Sequence, residues 1–221
     1  MERISSRKNG YIAYLRRLAS EGALRRGQGE TVLDGEKLLG EALSSGCEVT
    51  SVLTDEARIP ERLPEGAKLY CAPAELVGYA SPVKNSPGPV FTVRLPERRT
   101  PERVDCAIVI ESVQDPGNVG TVIRTANALG VGAVILTGDC ADPTSPRCVR
   151  STMGAAFRQY VIETDMPGLE QLLRKWGLPL IGAALRPDAR DIRQAQLERA
   201  AVAVGNEGHG LSGELMELCD G

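Results

Sequence analysis

The stretch from residue 106 to residue 136 restricts the fold more than any other part of the sequence. Cys106–Ile110 is an apolar, β-branched run with the length of a buried strand. Asp115 and Pro116 then supply a helix N-cap and a proline suited to the first helical position. The helix that follows has a core-facing stripe at Val119, Ile123 and Ala126. Gly130 is placed to end this helix and Val131–Leu136 is the next strand, which predicts a strand–helix–strand unit of a parallel sheet.

The first turns of this helix carry a second face. Gly117, Gly120 and Arg124 fall at i, i+3 and i+7 and lie on one side, with Asn118 in the same first turn. Each glycine lowers helix propensity by about 1 kcal/mol relative to alanine, which suggests that something approaches the backbone closely. A helix N-terminus beside an arginine suits an anionic or electron-rich ligand. Tight packing of the helix on its sheet, with Arg124 in solvent, explains the same residues equally well.

Length and composition limit the class of protein. The 221 residues suffice for one large or two small domains, and no apolar run approaches the roughly 18 to 20 residues of a membrane span. The amino terminus is polar, so we expect no secretory signal. The six cysteines are scattered without a C-x-x-C pair, which favours reduced thiols in a cytoplasmic protein over disulfides or a zinc site. With His209 as the single histidine, we expect no multi-histidine metal site, and no membrane partner.

Strands and helices alternate along the whole chain, and a charged segment with two prolines divides it. Residues 1–95 have the pattern of a small α/β domain that begins with a basic arm and an amphipathic helix. Residues 96–103 lack apolar periodicity and are expected to form a linker. Residues 104–221 continue the alternation, apart from an expected loop at 138–150, as in an open and mostly parallel sheet. The last expected element is a helix from Leu211 to Cys219.

Basic residues are concentrated near the amino terminus, although the net charge of the chain is −3. Residues 1–28 contain seven Lys or Arg and two Glu, a local charge of +5. Such an arm can supply phosphate contacts to a nucleic acid. The candidate RNA-binding residues in it are Arg7, Lys8, Arg16, Arg17, Arg25 and Arg26. Taken by itself, the arm is explained more simply as a solvated amphipathic helix.

A glycine-rich segment, G-N-E-G-H-G-L-S at residues 205–212, follows the predicted strand Ala200–Val204. Its glycines permit positive φ and allow a ligand to lie against bare backbone. In open α/β sheets, ligands bind beyond the carboxyl ends of the strands, where both this loop and the 117–124 turn are expected. A simple tight turn is the alternative, and no G-x-G-x-x-G dinucleotide fingerprint opens a helix here.

Taken together, the two motifs are far more specific. The pattern N-x-G-x-x-x-R at Asn118, Gly120 and Arg124, followed by G-N-E-G-x-G-L at 205–211, resembles the SpoU (TrmH-like) family of RNA ribose 2′-O-methyltransferases, within the SPOUT superfamily. The intervening S-T-M-G-A-A-F-R at 151–158 is similar to a segment of that family. The amino-terminal half, with its basic arm and V-L-D-G-E-K-L-L, is similar to the family's substrate-binding domain, which resembles a small ribosomal-protein fold.

The resemblance implies an α/β methyltransferase domain with a trefoil knot in the intact protein. It implies S-adenosylmethionine as cofactor, a homodimer, and a ribose 2′-OH of ribosomal or transfer RNA as methyl acceptor. Arg124 would contact the acceptor ribose or its phosphate and favour the alkoxide, although a guanidinium is a very weak base for the proton itself. Asn118 would hold the RNA backbone or Arg124, and Glu207 would orient Arg124 or the loop. The cofactor pocket would be lined by Gly205, Asn206, Gly208 and Leu211.

The sequence departs from the family's pattern at its end. The third family motif, an I-P-M-x-G strand and turn followed by S-L-N, normally comes just after the segment seen here at Cys219–Gly221. We therefore expect the chain to be part of a longer protein, and expect an incomplete cofactor pocket and weak activity without that motif. A non-catalytic RNA-binding protein on the same fold is the main alternative, and an unrelated nucleotide-binding α/β protein is a second.

Overall fold

The structure is a computed structural model that describes residues 1–60, 63, 66–84, 86–96, 99–187, 189, 191–194 and 197–221. It divides into two compact units, Met1–Glu97 with Thr144–Phe157, and Arg98–Pro143 with Arg158–Gly221. The change of unit falls inside the linker expected at 96–103, of which residues 97 and 98 lie outside the described residues.

Residues 144–157 group with the first unit, whereas the sequence pattern assigns them to the domain at 104–221. The reason is apolar packing, because Val149 and Phe157 are fully buried in a core cluster with Leu33, Leu39 and Phe91. A short amphipathic segment carries no sequence signal that says which core it will join.

The strands and helices follow one another with little irregular chain between them. The described strands are β1 (Glu2–Arg3), β2 (Glu30–Asp34), β3 (Val49–Thr54), β4 (Lys68–Cys71), β5 (Val90–Arg94), β6 (Cys106–Glu111), β7 (Ala133–Thr137), β8 (Val161–Glu163), β9 (Leu180–Gly182) and β10 (Ala200–Val204). The described α-helices are α1 (Gly10–Ser20), α2 (Gly22–Gln28), α3 (Glu36–Ser44), α4 (Ala74–Ala80), α5 (Pro116–Ala128), α6 (Pro146–Ser151), α7 (Met166–Trp176) and α8 (Gly213–Leu218). Short 3₁₀ turns lie at Glu56–Arg58, Ala155–Phe157 and Ile192–Gln194.

The first unit contains a mixed sheet in the order β1-β4-β3-β5-β2. β4 is parallel to both β1 and β3, whereas β5 is antiparallel to β3 and to β2. Helix α1 starts at an Asn9 cap whose side chain accepts from the Tyr11 amide at 2.8 Å. It buries Ile12, Leu15 and Leu18 in a core cluster under the sheet, as an amphipathic helix does.

The second unit contains the sheet β8-β7-β6-β10-β9, and every described pairing in it is parallel. The expected open, mostly parallel α/β sheet is therefore confirmed. Helix α5 buries the predicted stripe of Val119, Ile123 and Ala126. Gly130, with φ of +72°, follows the end of this helix as predicted. None of the helices in the described part of the chain has the length and hydropathy of a membrane span.

Several predicted boundaries are wrong. Strand β7 begins at Ala133 rather than Val131 and extends to Thr137. The loop expected at 138–150 contains the start of α6, because Ser145 caps a helix whose first residue is Pro146 and accepts from the Cys148 amide at 3.3 Å. The last helix begins at Gly213 rather than Leu211, because the Ser212 hydroxyl is its N-cap and accepts from the Leu215 amide at 3.1 Å.

Candidate active site

The first turn of α5 is closed by its own cap. The Asp115 carboxylate accepts hydrogen bonds from the amide groups of Gly117, at 2.7 Å, and Asn118, at 3.1 Å. These amides are therefore satisfied from within the chain and are not free to bind an anion. The groups that this end of the helix offers to a ligand are side chains, chiefly those of Asn118 and Arg124.

Asn118 joins the two sequence motifs. Its Nδ2 donates to Oε1 of Glu207 at 2.6 Å, across 89 residues of sequence. This bond connects the start of α5 with the glycine-rich loop that follows β10. The hydrogen bond from Asn118 is the main cause that lowers the pKa of the Glu207 carboxyl, so Glu207 is an anion at neutral pH.

Arg124 lies on the exposed side of α5, two turns after the cap. Within the described residues its guanidinium has no hydrogen-bond or ion-pair partner, and neither Asn118 nor Glu207 contacts it. An arginine on a rigid helix with five unused donors is suited to bind an oxyanion of an incoming ligand.

The glycine-rich loop is held by the side chain of Asn206. Its Nδ2 donates to the Ser112 carbonyl at 2.8 Å, and its Oδ1 accepts from the amides of Gly208, at 2.8 Å, and His209, at 3.2 Å. The backbone amides of Asn206 and Gly210 each donate to the other's carbonyl, at 3.0 and 2.9 Å. The loop is thus a closed turn, anchored to the chain that leaves β6.

The tightness of this turn explains Gly205. A Cβ on Gly205 would overlap the backbone of Gly210 and would lie 2.5 Å from the Leu211 nitrogen, where no side chain fits. Around Gly210, in contrast, a Cβ would meet no atom within 4 Å, so the loop presents open, bare backbone there. Leu211 places its side chain on the core of the second unit and leaves only its backbone for a ligand.

Glu111 is a site residue to which sequence reasoning gave no role. It ends β6, has an exposed fraction of only 5%, and accepts from the Ser212 amide at 2.7 Å and the Ser212 hydroxyl at 2.5 Å. Both carboxylate oxygens therefore hold the far end of the glycine-rich loop. The available signal was a charged residue that directly continues an apolar, buried strand.

The predicted RNA-binding residues of the basic arm differ in availability. Arg7 and Arg16 both lie over the Tyr79 ring, at 4.7 and 4.4 Å from its centroid, and Arg7 also pairs with Glu75. Arg17 pairs with Glu21 one turn later. These pairs are exposed and solvent-screened, so they leave the guanidinium groups available to a stronger anion. The side chains of Lys8 and Arg26 are exposed as well.

Arg25 does not fit the expected phosphate contact. Its exposed fraction is 5%, and its Nη1 donates to the Leu18 carbonyl at 2.6 Å. A buried guanidinium that donates a hydrogen bond to the carboxyl end of α1 cannot reach a phosphate unless that hydrogen bond is broken. Arg25 therefore stabilises the junction of α1 and α2.

Comparisons with known proteins agree with this arrangement. Residues 105–221 match the model of the SpoU rRNA Methylase family. The chain is 32% identical over 223 residues to the 23S rRNA (guanosine(2553)-2′-O)-methyltransferase RlmP of Bacillus subtilis, a match that covers 100% of this chain and 88% of the relative. It is 31% identical to an uncharacterized tRNA/rRNA methyltransferase of Synechocystis, over 97% of this chain and 82% of that protein.

Solved structures match the chain over nearly its whole length. A crystal structure of an RNA 2′-O ribose methyltransferase superposes with a TM-score of 0.80 at 27% identity, over 99% of this chain and 87% of that one. An AdoMet-bound rRNA methyltransferase from Sinorhizobium meliloti gives 0.83 at 24% identity, over 99% of this chain and 86% of that one, and shows the shared fold. On the family match and on the identity to RlmP, this chain belongs to the SpoU rRNA methylase family, within the SPOUT superfamily.

Proposed function

We propose that this protein transfers the methyl group of S-adenosylmethionine to a ribose 2′-hydroxyl of ribosomal RNA. Family membership makes the chain an RNA methyltransferase, and the relatives RlmP and the 23S rRNA (uridine(2479)-2′-O)-methyltransferase of Streptomyces viridochromogenes are named for this reaction on ribosomal RNA. The observation that carries the proposal is the hydrogen bond from Asn118 to Glu207, because it brings both family motifs into one site on the helix that bears Arg124. The non-catalytic alternative is not favoured, since all three side chains are present.

The glycine-rich loop fits the cofactor. S-adenosylmethionine, when bound, supplies a methyl group that its sulfonium has already activated. An adenine ring and a zwitterionic methionine end are both recognised well by backbone amides and carbonyls. The Gly208 carbonyl and the backbone of Leu211 offer such groups beside the open side of Gly210, and Gly205 and Asn206 hold the turn in shape. The supporting observation is that a Cβ at Gly210 would meet no heavy atom within 4 Å, so this side of the loop is open.

The chemical task of the protein side chains is alignment and charge stabilisation. With the methyl group already electrophilic, the enzyme must align the acceptor oxygen and ease the loss of its proton. We assign to Arg124 the stabilisation of the negative charge that develops on the 2′ oxygen, because its guanidinium stays charged at any working pH. Asn118 and Glu207 position the helix and the loop relative to each other within the second unit.

The remaining parts of the proposal concern partners. The first unit would be the RNA substrate-binding domain, with phosphate contacts from Arg7, Lys8, Arg16, Arg17 and Arg26, all of which are exposed. A homodimer, a trefoil knot in the methyltransferase domain and a cytoplasmic location belong to the same proposal. Transfer RNA is the second candidate substrate, because the Synechocystis relative is named for both RNA classes.

Mapping of 2′-O-methylated nucleotides in total RNA, with and without the gene, tests the function. We expect one ribosomal RNA position to lose its methyl group in the deletion and to regain it when the gene is restored. Restoration by an Arg124→Ala gene should fail although the protein accumulates normally. Identical methylation maps with and without the gene would overturn the proposal.

A further inference from the structure

A cavity of about 620 Å³ lies within the first unit, and its described lining shares no residue with the motifs at 118–124 and 205–212. One lining residue, Met153, belongs to the family segment at 151–158. Four segments form its walls: the turn from β2 into α3, the 3₁₀ turn Glu56–Arg58, the loop that follows α4, and the end of α6 with the residues after it. Its described lining includes Lys37, Lys84, Arg58, Arg150 and Met153. The volume falls in the range of ordinary small-ligand sites, about 300 to 1,000 Å³.

The two arginines of the cavity hold its walls. The Arg58 Nη1 donates to the Pro87 carbonyl at 3.2 Å and so fixes the loop after α4. The Arg150 Nη1 donates to the Asp34 carboxylate at 2.9 Å, and Asp34 itself is buried. These bonds join the Glu56–Arg58 turn to the loop after α4, and α6 to the end of β2. The Ser81 hydroxyl donates to the Asp34 carboxylate at 3.4 Å and links the two pairs, so the walls are held without any ligand.

The two lysines of the cavity are exposed. Lys37 belongs to the first turn of α3 and Lys84 to the loop after α4, and both line the cavity. Within the part of the chain that the structure describes, neither ammonium group has a hydrogen-bond or ion-pair partner. Two unused positive charges from separate elements around one cavity are suited to two phosphates of the same ligand.

The rest of the lining suits a flat ring with hydrogen-bond donors at its edge. Met153 is 48% exposed, and its thioether is an adaptable surface for contact with an aromatic ring. Val83 and Pro87 add apolar surface. The carboxylates of Glu36 and Glu41 also line the cavity, and carboxylates accept hydrogen bonds from the amino groups of bases. Cations, carboxylates and an exposed methionine together match a nucleotide better than they match a simple anion.

A second, smaller cavity of about 330 Å³ continues this surface along the same loop. Ser81 and Pro82 line it, next in sequence to the residues that line the larger cavity. Its other walls include Arg16 and Arg17 of the basic arm. Basic side chains thus line both cavities along the loop after α4. This is expected for the path of a single-stranded nucleic acid rather than for the site of a free mononucleotide.

We propose that the larger cavity binds one unstacked nucleotide of the substrate RNA, other than the nucleotide that is methylated, with its flanking phosphates on Lys37 and Lys84. This inference rests on the proposed function, because it assumes an RNA substrate. Single-stranded RNA is commonly recognised through bases that are splayed out, stacked on side chains and hydrogen-bonded at their edges. The RNA strand would continue from this cavity to Arg16 and Arg17.

The test compares two charge reversals of equal size. The Lys37→Glu/Lys84→Glu double variant is expected to bind a ribosomal RNA fragment at least about tenfold more weakly, and to lower the slope of log affinity against log salt by about 0.7 per lost phosphate contact. The matched control, Lys68→Glu/Arg94→Glu, changes the same charge at exposed positions outside both cavities and should bind as the wild type does. Binding of S-adenosylmethionine should be the same in all three proteins.

Two further measurements separate the parts of the inference. Met153→Ala should weaken RNA binding without changing its salt dependence, because it removes a ring contact and no charge. RNA that carries 4-thiouridine should crosslink to the peptides at 36–41 or 83–88. Wild-type affinity and salt slope in the double-lysine variant would overturn the proposal, as would full displacement of the RNA by millimolar AMP. If instead the wild type methylates no RNA, the proposed function is what has failed.

Discussion

Asn118 and Glu207 are joined by a hydrogen bond of 2.6 Å although 89 residues separate them in sequence. Asn118 lies in the first turn of α5 and Glu207 lies in the glycine-rich loop after β10. The bond is exposed and therefore contributes little to stability, but it joins two elements that act on one substrate in the proposed reaction. Because this bond lowers the pKa of Glu207, a measured pKa of Glu207 shows whether the helix and the loop are joined.

Removal of the Asn118 amide is expected to raise the pKa of Glu207. The hydrogen bond lowers that pKa, so the ionised Glu207 stabilises the folded state. This stabilisation is present above the ordinary carboxyl pKa range and is lost as the pH falls through the lowered pKa. In Asn118→Ala, the pKa of Glu207 should rise towards the ordinary range of a glutamate carboxyl. An NMR titration of the Glu207 side chain measures this, with Thr121→Ala as the control on the same helix. Equal values in both variants and the wild type would show that the bond is not formed in solution.

Arg124→Ala is expected to abolish methyl transfer while the cofactor remains bound. The guanidinium has no partner within the described residues and no role in the core, so its loss should cost only transition-state stabilisation, about 3 to 4 kcal/mol by analogy with removal of a charge-stabilising donor. Single-turnover methyl transfer and calorimetric cofactor binding measure the two effects. Arg174→Ala, at an exposed pair on α7, is the control. A near-wild-type rate in Arg124→Ala would refute the catalytic assignment.

Gly205→Ala is expected to destabilise the second unit by about 1 to 3 kcal/mol, because its Cβ overlaps the backbone of the same loop. Gly213→Ala is the control, since a Cβ there meets no atom within 4 Å and the residue begins a helix. Thermal unfolding of the two variants should show a lower midpoint only for Gly205→Ala, accompanied by loss of cofactor binding. Equal midpoints would mean that the turn is more open than its hydrogen bonds indicate.

Glu111→Gln is expected to weaken the attachment of the same loop. Ser212 donates to Glu111 from both its amide and its hydroxyl. Glutamine has one oxygen to accept from the amide, and its NH2 group would donate to the Ser212 hydroxyl oxygen, so the hydroxyl proton loses its acceptor. The buried mismatch should cost about 1 to 3 kcal/mol of unfolding free energy. Glu217→Gln, exposed on α8, should stay within about 0.5 kcal/mol of the wild type. Denaturant unfolding measures both free energies. An unchanged unfolding free energy in Glu111→Gln would show that the Glu111 carboxylate does not hold the loop.

Much of the parallel sheet could be predicted because buried parallel strands are continuous apolar runs. Ala200–Val204 is such a run and has the predicted bounds in the structure, and the predicted run Cys106–Ile110 is extended by only one residue, Glu111. Strand β1 could not be predicted, since two residues that pair with β4 leave no periodic signal. Ser145 and Pro146 are typical of a helix start and could have predicted α6, but Pro143 and Pro146 together favoured the prediction of a loop.

The site was predictable only as separate pieces. Sequence motifs indicate Asn118 and Glu207 individually, but the bond between them depends on the order in which β6 and β10 pair in the sheet. Burial of Arg25 likewise depends on a tertiary contact with the Leu18 carbonyl, and nothing in the local sequence distinguishes it from the exposed Arg26. Charge alone could therefore not separate structural arginines from those available to RNA.

The closed turn of the glycine-rich loop also bears on the entropy of ligand binding. Each polar atom of the Asn206 side chain already bonds to the protein's own backbone, so the loop gains no order when a ligand arrives. The conformational entropy that this surface loses is lost during folding rather than during ligand binding. More of the free energy of each ligand contact therefore contributes to affinity. A loop of small, flexible residues thereby behaves as a rigid surface.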